Sequence, residues 1–385
     1  MPLRCAHFGS CGGCQIQDLA YDFQLKLKQE RLQSLLETCG WNAPIPIHPS
    51  PEIWFYRNKM EFAFGSAPGE GTPQLRLGFK RRGRWNSLLD IQECLLLAPD
   101  AWHLLETVRS WAREENLPPY DPRGHTGFLR YLVVREGKNT GQRMIHLLTA
   151  PGQLPAKRLL KKLSGVSHTT LLWGTSSKVS DVALAEEIRV LSGPGFIEEK
   201  LSAGTREITY RVSPHTFFQT NTRATEILYR SLREKILQIR PRCAWDLYCG
   251  SGGIAFSMAD AVPEVVAVEF NPVSVEDAKQ NAFKNGIGNV MFVCSKTEDF
   301  LAQMKPADRE ACLILDPPRS GLHPKAAAEL LRLKAAHLFY VSCNPRALAA
   351  DLKALGQCYK IGSIEAFDLF PHTEHVELVV HLCLS

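Results

Sequence analysis

Cys343 closes the apolar run Leu338 to Val341 and is followed at once by Asn344 and Pro345, so this thiol stands at the outer tip of a buried-strand pattern. In open α/β sheets, ligands and chemistry sit just beyond the carboxyl ends of the strands. A cysteine there is presented as a nucleophile or metal ligand, whereas a packing cysteine belongs inside the apolar run. A second set of residues could bind a nucleoside. Gly250, Gly252 and Gly253 follow Asp246-Leu-Tyr-Cys at a strand-to-helix junction, where a backbone without side chains can turn tightly and approach a ligand at a helix start. Glu269 ends the next apolar run, 19 residues beyond Gly250, where a carboxylate can accept hydrogen bonds from both ribose hydroxyls. Asp316 ends a further run and precedes Pro317, Pro318 and Arg319; the two prolines remove backbone donors and stiffen that tip. A third set suits a metal. Cys5, Cys11 and Cys14 read Cys-x5-Cys-x2-Cys, with Cys94 standing apart. Four cysteines so arranged hold an iron–sulfur cluster or a structural zinc, and the spacing alone does not separate the two.

These groups need a frame. Past residue 210, apolar runs at 243–247, 265–269, 290–294, 312–316 and 337–342 alternate with helical patterns, which predicts βαβ units and a parallel sheet. Runs at 360–367 and 377–384 have too little between them for a crossover helix and are expected to pair antiparallel. Earlier in the chain, alternating segments such as those from Lys59 and from Tyr131 predict half-buried antiparallel strands, joined by Gly- and Pro-rich turns such as 65–73, and 21–39 has a helical pattern. The expected division is 1–50 for the cysteine motif and helix, 51–205 for a β-rich central region that includes Cys94, and 206–385 for the α/β domain.

The 385 residues allow two domains of ordinary size, and 45% hydrophobic with 22% charged residues suits a globular chain. No stretch approaches the roughly 20 apolar residues of a membrane span. The N-terminus lacks a basic region followed by an apolar one, so a cytoplasmic location is expected. A net charge of +5 permits nucleic-acid binding without requiring it. In a reducing compartment the 12 cysteines are expected as metal ligands, catalytic groups or core residues rather than disulfides. Cys243, Cys294, Cys312 and Cys383, in or beside apolar runs, are expected in the core.

Taken in order, Asp-x-x-x-Gly-x-Gly from Asp246, the strand-end Glu269 and Asp316-Pro-Pro are similar to the class I methyltransferase pattern, which uses S-adenosylmethionine. A dinucleotide fold would show Gly-x-Gly-x-x-Gly, and position 255 is alanine. With Asp316-Pro-Pro-Arg319 and Ser342-Cys-Asn-Pro345, the chain resembles the RNA uracil-C5 methyltransferase family, and more narrowly its iron–sulfur-containing 23S ribosomal RNA branch. The likeness runs from 5–17, through Phe217-Phe-Gln-Thr-Asn221, to Pro371-His-Thr-Glu-His-Val-Glu377. It implies a C-terminal α/β class I methyltransferase domain, Rossmann-like and mostly parallel with an antiparallel end, beside an N-terminal β-rich α+β domain carrying the cysteine motif. It also implies Cys343 as nucleophile, Glu377 as general base, and S-adenosylmethionine contacts at Gln219, Tyr248, Glu269 and Asp316. Cys5, Cys11, Cys14 and Cys94 become the ligands of a [4Fe-4S] cluster. The implied partner is RNA, 23S ribosomal RNA first, with no membrane and no obligate protein partner. One departure is that Cys5 stands almost at the start, so the oligonucleotide-binding module that precedes the cysteine motif in some members is expected to be absent.

The chemistry fits these residues. Carbon 5 of uracil takes a methyl group only after a thiolate has added at carbon 6, and a base must then remove the carbon-5 proton. Basic clusters at Lys80-Arg81-Arg82-x-Arg84-Trp85 and Lys157-Arg158-x-x-Lys161-Lys162, with Arg57 and Lys59, are candidate RNA contacts or plain solvated faces. Phe217 and Phe218 either line the base pocket or pack in the core. Three alternatives stand beside this reading. One is a methyltransferase for adenine amino groups, which leaves Cys343 without a task. Another is a non-catalytic iron–sulfur RNA-binding protein with a degenerate methyltransferase fold. The third, within the family, is a transfer RNA substrate.

Overall fold

The structure is a computed structural model that describes residues 4–66, 74–179, 181–305 and 311–385. The turn expected at 65–73 falls mostly on residues outside these. The chain forms two compact units: residues 1–18, 53–199 and 212–215 in one, 19–52, 200–211 and 216–385 in the other.

The first unit is built on a seven-stranded sheet. Its strands lie in the order Arg84–Asp90, Leu75–Arg81, Lys59–Ser66, Leu129–Glu136, Arg143–Thr149, Thr170–Thr175, Glu187–Ser192. Neighbours are antiparallel except Arg143–Thr149 with Thr170–Thr175, a parallel pair bridged by the helix Ala156–Leu163. The alternating segments around Lys59 and Tyr131 pair with each other, Ala63 opposite Tyr131. Phe62, Leu77, Leu132, Leu147 and Leu171 form its core with Leu104, Val108 and Trp111 from the helix Ala101–Glu114.

The second unit carries an eight-stranded sheet in the order Ile47–His48, Tyr359–Phe367, Glu377–Leu384, His337–Ser342, Cys312–Leu315, Cys243–Leu247, Glu264–Glu269, Val290–Cys294. The last five are parallel, because each is joined to the next in sequence by a helix that needs a face of the sheet to cover. Glu377–Leu384 runs antiparallel to both its neighbours. Strand order reverses between Cys243–Leu247 and Cys312–Leu315, and such a switch point opens a crevice at the carboxyl ends. This is the mostly parallel, Rossmann-like α/β sheet with an antiparallel end that the sequence predicts. The helix Tyr21–Glu37 belongs to this unit, packing Leu32 and Leu36 into the core that holds Leu352 and Leu355.

The expected core cysteines divide. Cys312 is buried, whereas Cys243 and Cys383 are half-buried and Cys294 is exposed. Cys294 ends the edge strand Val290–Cys294, where the sheet has no further neighbour to cover it, so an apolar run there did not imply burial.

Candidate active site

The antiparallel ladder between His337–Ser342 and Glu377–Leu384 ends with Ser342 opposite Leu378. One step further along each strand stand Cys343 and Glu377, so the register itself brings thiol and carboxyl to the same sheet end. Asp316 leaves the neighbouring strand Cys312–Leu315, its amide donating to the Leu247 carbonyl at 3.2 Å. Asn344 caps the helix Pro345–Leu355 by accepting from the Arg346 amide at 3.2 Å, and its Nδ2 donates to the Arg319 carbonyl at 2.8 Å. Asp351 on that helix accepts from Tyr340 Oη at 2.6 Å and from the Leu322 amide at 2.9 Å. The loop after Asp316 is therefore fastened to the cysteine loop at Arg319 and to the helix that follows it at Leu322. Arg319 Nη2 also meets His375 Nδ1 at 3.3 Å, which links it to the approach to Glu377.

Electrostatics follow from burial. Glu377 is only 2% exposed, and burial first, then the charge of Asp316, raises its pKa well above the carboxylate range, with Arg319 opposing. Burial likewise raises Asp316. The half-buried Cys343 thiol is pushed up to about 11 by burial, then by Glu377 and Asp316, while Arg319 lowers it. The pocket thus keeps its protons at rest, with Arg319 the cation that eases their loss.

The glycine junction forms the second part. Tyr248, Gly250 and Gly252 all have positive φ (71°, 54° and 90°), and Tyr248 as a bulky residue is an outlier of the kind that collects at functional sites. A Cβ at Gly253 would lie 2.4 Å from Tyr229 Oη, so only glycine fits. Glu269 accepts from the Gly250 amide at 3.1 Å and the Asn271 amide at 2.9 Å, which fixes its carboxylate beside the glycine loop. Asp246, fully buried and raised to about 8 chiefly by burial, accepts from the Ala255 amide at 2.8 Å and holds the helix start. A cleft of about 220 Å³ opens here, lined by Tyr248, Glu269, Phe270, Ser295, Lys296, Thr297 and Glu298. Its size and its carboxylate suit a nucleoside. Ser295 and Thr297 escaped sequence reading, although they begin the loop after the run 290–294, a third βα junction that could have been searched as the first two were. Gln219 is buried; in the same segment Phe218 packs edge-on against Tyr210 at 5.5 Å and Phe217 is 62% exposed. Only Phe217 is thus free for a pocket. Ser251 Oγ donates to the Phe217 carbonyl at 3.4 Å, tying the segment to the glycine loop.

In the first unit, Cys5, Cys11, Cys14 and Cys94 gather from two distant stretches. Burial, then Cys94, Cys11 and Cys5, push the Cys14 thiol up to about 12, and burial is also the leading cause that raises Cys94 to about 11. Amides point at the sulfurs: His7 N lies 3.4 Å from Cys5 Sγ and Gly13 N 3.3 Å from Cys11 Sγ. Gln17 Nε2 donates to Cys14 Sγ at 3.6 Å while its Oε1 accepts from the Cys5 amide at 2.9 Å. Four thiols within electrostatic reach of one another, three of them with an N–H donor at the sulfur, are chemically suited to a metal centre. Cys11 makes a bridge to Arg81, placing the motif against the basic hairpin that carries exposed Arg82 and Arg84. Two of the four cations in the second basic cluster are paired, Arg158 with Glu115 at 2.8 Å and Lys162 with Glu114 at 2.6 Å. Lys59 is paired with Glu61 at 2.6 Å.

The family described as tRNA (uracil-5-)-methyltransferase matches residues 169–384. An RNA methyltransferase of Caldanaerobacter subterraneus subsp. tengcongensis is 35% identical over 389 residues, covering 97% of this chain and 83% of that protein. The tRNA (uracil(54)-C(5))-methyltransferase of Pyrococcus horikoshii is 36% identical over 379 residues, covering 98% and 85%. Among solved structures, the Pyrococcus abyssi tRNA (uracil-54, C5)-methyltransferase in complex with S-adenosyl-L-homocysteine superposes with a TM-score of 0.77 at 30% identity, covering 97% of this chain and 86% of that one.

Proposed function

The chain belongs to the RNA uracil-5-methyltransferase family and is an S-adenosylmethionine-dependent RNA methyltransferase, and from that premise we propose that it methylates carbon 5 of a uridine through a covalent Cys343 adduct. The observation that carries this reading is the meeting of Cys343, Glu377 and Asp316 at one sheet end, beside a nucleoside-sized cleft. Cys343 and Glu377 first release their protons to solvent; the Cys343 sulfur then bonds to carbon 6, moving the carbon 5–carbon 6 π electrons onto the carbon-4 oxygen. S-adenosylmethionine, when bound, supplies an electrophilic methyl group and a sulfonium charge. Carbon 5 takes the methyl group and S-adenosylhomocysteine leaves. Glu377 then removes the proton from carbon 5, the 5,6 double bond re-forms, and the sulfur–carbon 6 bond breaks to free Cys343. Arg319 favours both the thiolate and the carboxylate. In the cofactor cleft, Glu269 would accept from the ribose hydroxyls, with Tyr248, Gln219 and Asp316 around the rest of the donor.

The four cysteines support a [4Fe-4S] cluster. All ligand places are taken by thiols, which leaves no open iron for radical chemistry, so the cluster has a structural role. It ties the N-terminus to the basic hairpin and supports an RNA-facing surface at Arg82 and Arg84.

For the substrate, the motif set from Cys5 to Glu377 supports a uridine of 23S ribosomal RNA. The names of the Pyrococcus horikoshii and Pyrococcus abyssi proteins favour uridine 54 of transfer RNA as a second reading. Either target must be swung out of its stack into the pocket, at a cost of a few kcal/mol. Methylating 23S ribosomal RNA and transfer RNA side by side, then mapping 5-methyluridine by mass spectrometry, tests both. No methyl incorporation at carbon 5 of uridine in either RNA would overturn the proposal.

A further inference from the structure

At the opposite end of the strand that ends beside Cys343, three side chains form a group the methyl-transfer chemistry does not use. His337 opens the strand His337–Ser342, and Cys383 lies directly across from it on Glu377–Leu384, with His381 two residues before Cys383 on the same face. Their donor atoms lie within 4.8 Å of one another: His337 Nδ1 is 3.1 Å from His381 Nε2, and His381 Nε2 is 3.6 Å from Cys383 Sγ. With metal–nitrogen and metal–sulfur bonds of about 2.0 and 2.3 Å, tetrahedral angles require about 3.3 Å between two nitrogens and about 3.5 Å between nitrogen and sulfur. The observed spacings fall close to those values before any ion is bound.

The surroundings point the same way. The third strand bulges between Ile361 and Ser363, and the residue in the bulge is Gly362. A Cβ there would come 3.2 Å from Cys383 Sγ and 3.5 Å from His381 Nδ1, so glycine keeps that side of the group clear. Phe339 stacks on the His381 ring at 4.4 Å and fixes its plane. Lys235, the cation facing His381, is held by Glu365 at 2.6 Å and so partly neutralised. All three side chains are half-buried, so the group is within reach of solvent.

We propose that His337, His381 and Cys383 form a site for one borderline-soft divalent ion of the zinc class. Two imidazoles and a thiolate are the donor set such an ion prefers. The site lies about 20 Å from the Cys343 end, taking six residues at about 3.3 Å per step. Its role is structural: it clips the end of the last strand, whose first residue is Glu377, to the neighbouring strand.

The test is anaerobic titration of the full chain, iron–sulfur ligands in place, with cobalt(II) as a zinc surrogate. Wild-type protein should show tetrahedral d–d bands with sulfur-to-cobalt charge transfer for one equivalent that His381→Ala and Cys383→Ser both lose and Cys94→Ser keeps. Zinc should raise the melting temperature of wild type and not of His337→Asn, a milder change that guards against misfolding of the others. Identical titrations for wild type, His381→Ala and Cys383→Ser, or a signal lost only with Cys94→Ser, would overturn the site.

Discussion

Cys343 and Glu377 face each other one rung beyond Ser342 and Leu378, the last paired rung of two antiparallel strands. Opposite residues in such a ladder have Cα atoms about 4.5–5.5 Å apart and side chains on one face. The proposed nucleophile and base are therefore set by a single register, and the two proposed roles can be separated. Cys343→Ala should give no methylated RNA and no covalent complex. Glu377→Gln should lose about 10²–10⁴ in turnover, the usual share of a general base, yet accumulate an adduct that survives denaturing gel electrophoresis. Normal turnover by Cys343→Ala removes the covalent mechanism.

The same neighbourhood predicts a pH profile for the free enzyme. Burial, Glu377 and Asp316 hold the Cys343 thiol at about 11, so it is protonated at neutral pH. The thiolate fraction then rises about tenfold per pH unit and levels only as pH nears that value. Alkylation of Cys343 by iodoacetamide, followed by peptide mass spectrometry, should climb from pH 7 to pH 10 without a plateau. In Arg319→Ala the opposing cation is gone, and alkylation at pH 8 should slow. A plateau near pH 8 would mean that the pocket does not hold the proton.

How legible was this in the sequence? The five parallel strands and the antiparallel finish were readable because each is an apolar run bounded by polar turns, a local signal. So was the position of Cys343, since a strand tip is visible wherever the run ends. The lining of the cleft by Ser295 and Thr297 was not, because nothing in those two residues differs from an ordinary loop until the sheet order puts them beside Glu269. Exposure of Cys294 required knowing that its strand is an edge. The helix Tyr21–Glu37 lies close to the cysteine motif in sequence and yet joins the other unit, a choice made by contacts hundreds of residues away.

Removal of the Glu269 carboxylate tests the cofactor cleft. A charge-assisted hydrogen bond is worth about 1.5–3 kcal/mol, so Glu269→Ala should weaken S-adenosylmethionine about ten- to a hundredfold by calorimetry. Glu269→Gln keeps an acceptor and should lose less. Unchanged affinity in Glu269→Ala would move the ribose elsewhere.

The N-terminal cysteines make a prediction visible by eye. Anaerobically purified protein should be brown, with a broad charge-transfer band near 400 nm, and Cys14→Ser should be colourless. Both should show the same far-ultraviolet spectrum in the second unit's helices, because the motif belongs to the first unit. A colourless wild type with one equivalent of zinc on these thiols would replace the cluster by a zinc site.

Lys28 and Asp368 form the least exposed ion pair among the described residues of the second unit, Nζ to Oδ1 at 2.6 Å with side chains 1% and 0% exposed. Lys28 Nζ also donates to the Phe370 carbonyl at 3.1 Å, and Gln24 Oε1 accepts from the His372 amide at 2.8 Å. The helix Tyr21–Glu37 thereby holds the segment 368–376 that leads into Glu377. Taking away one partner of a buried pair leaves a charge without compensation, at a cost of about 3–5 kcal/mol. Lys28→Met should accordingly lower the melting temperature by many degrees, whereas Lys28→Met with Asp368→Leu should recover most of it. If the segment also sets Glu377, the stable double variant will still turn over slowly while forming the Cys343 adduct at the normal rate. Full turnover in the double variant would confine the pair to stability alone.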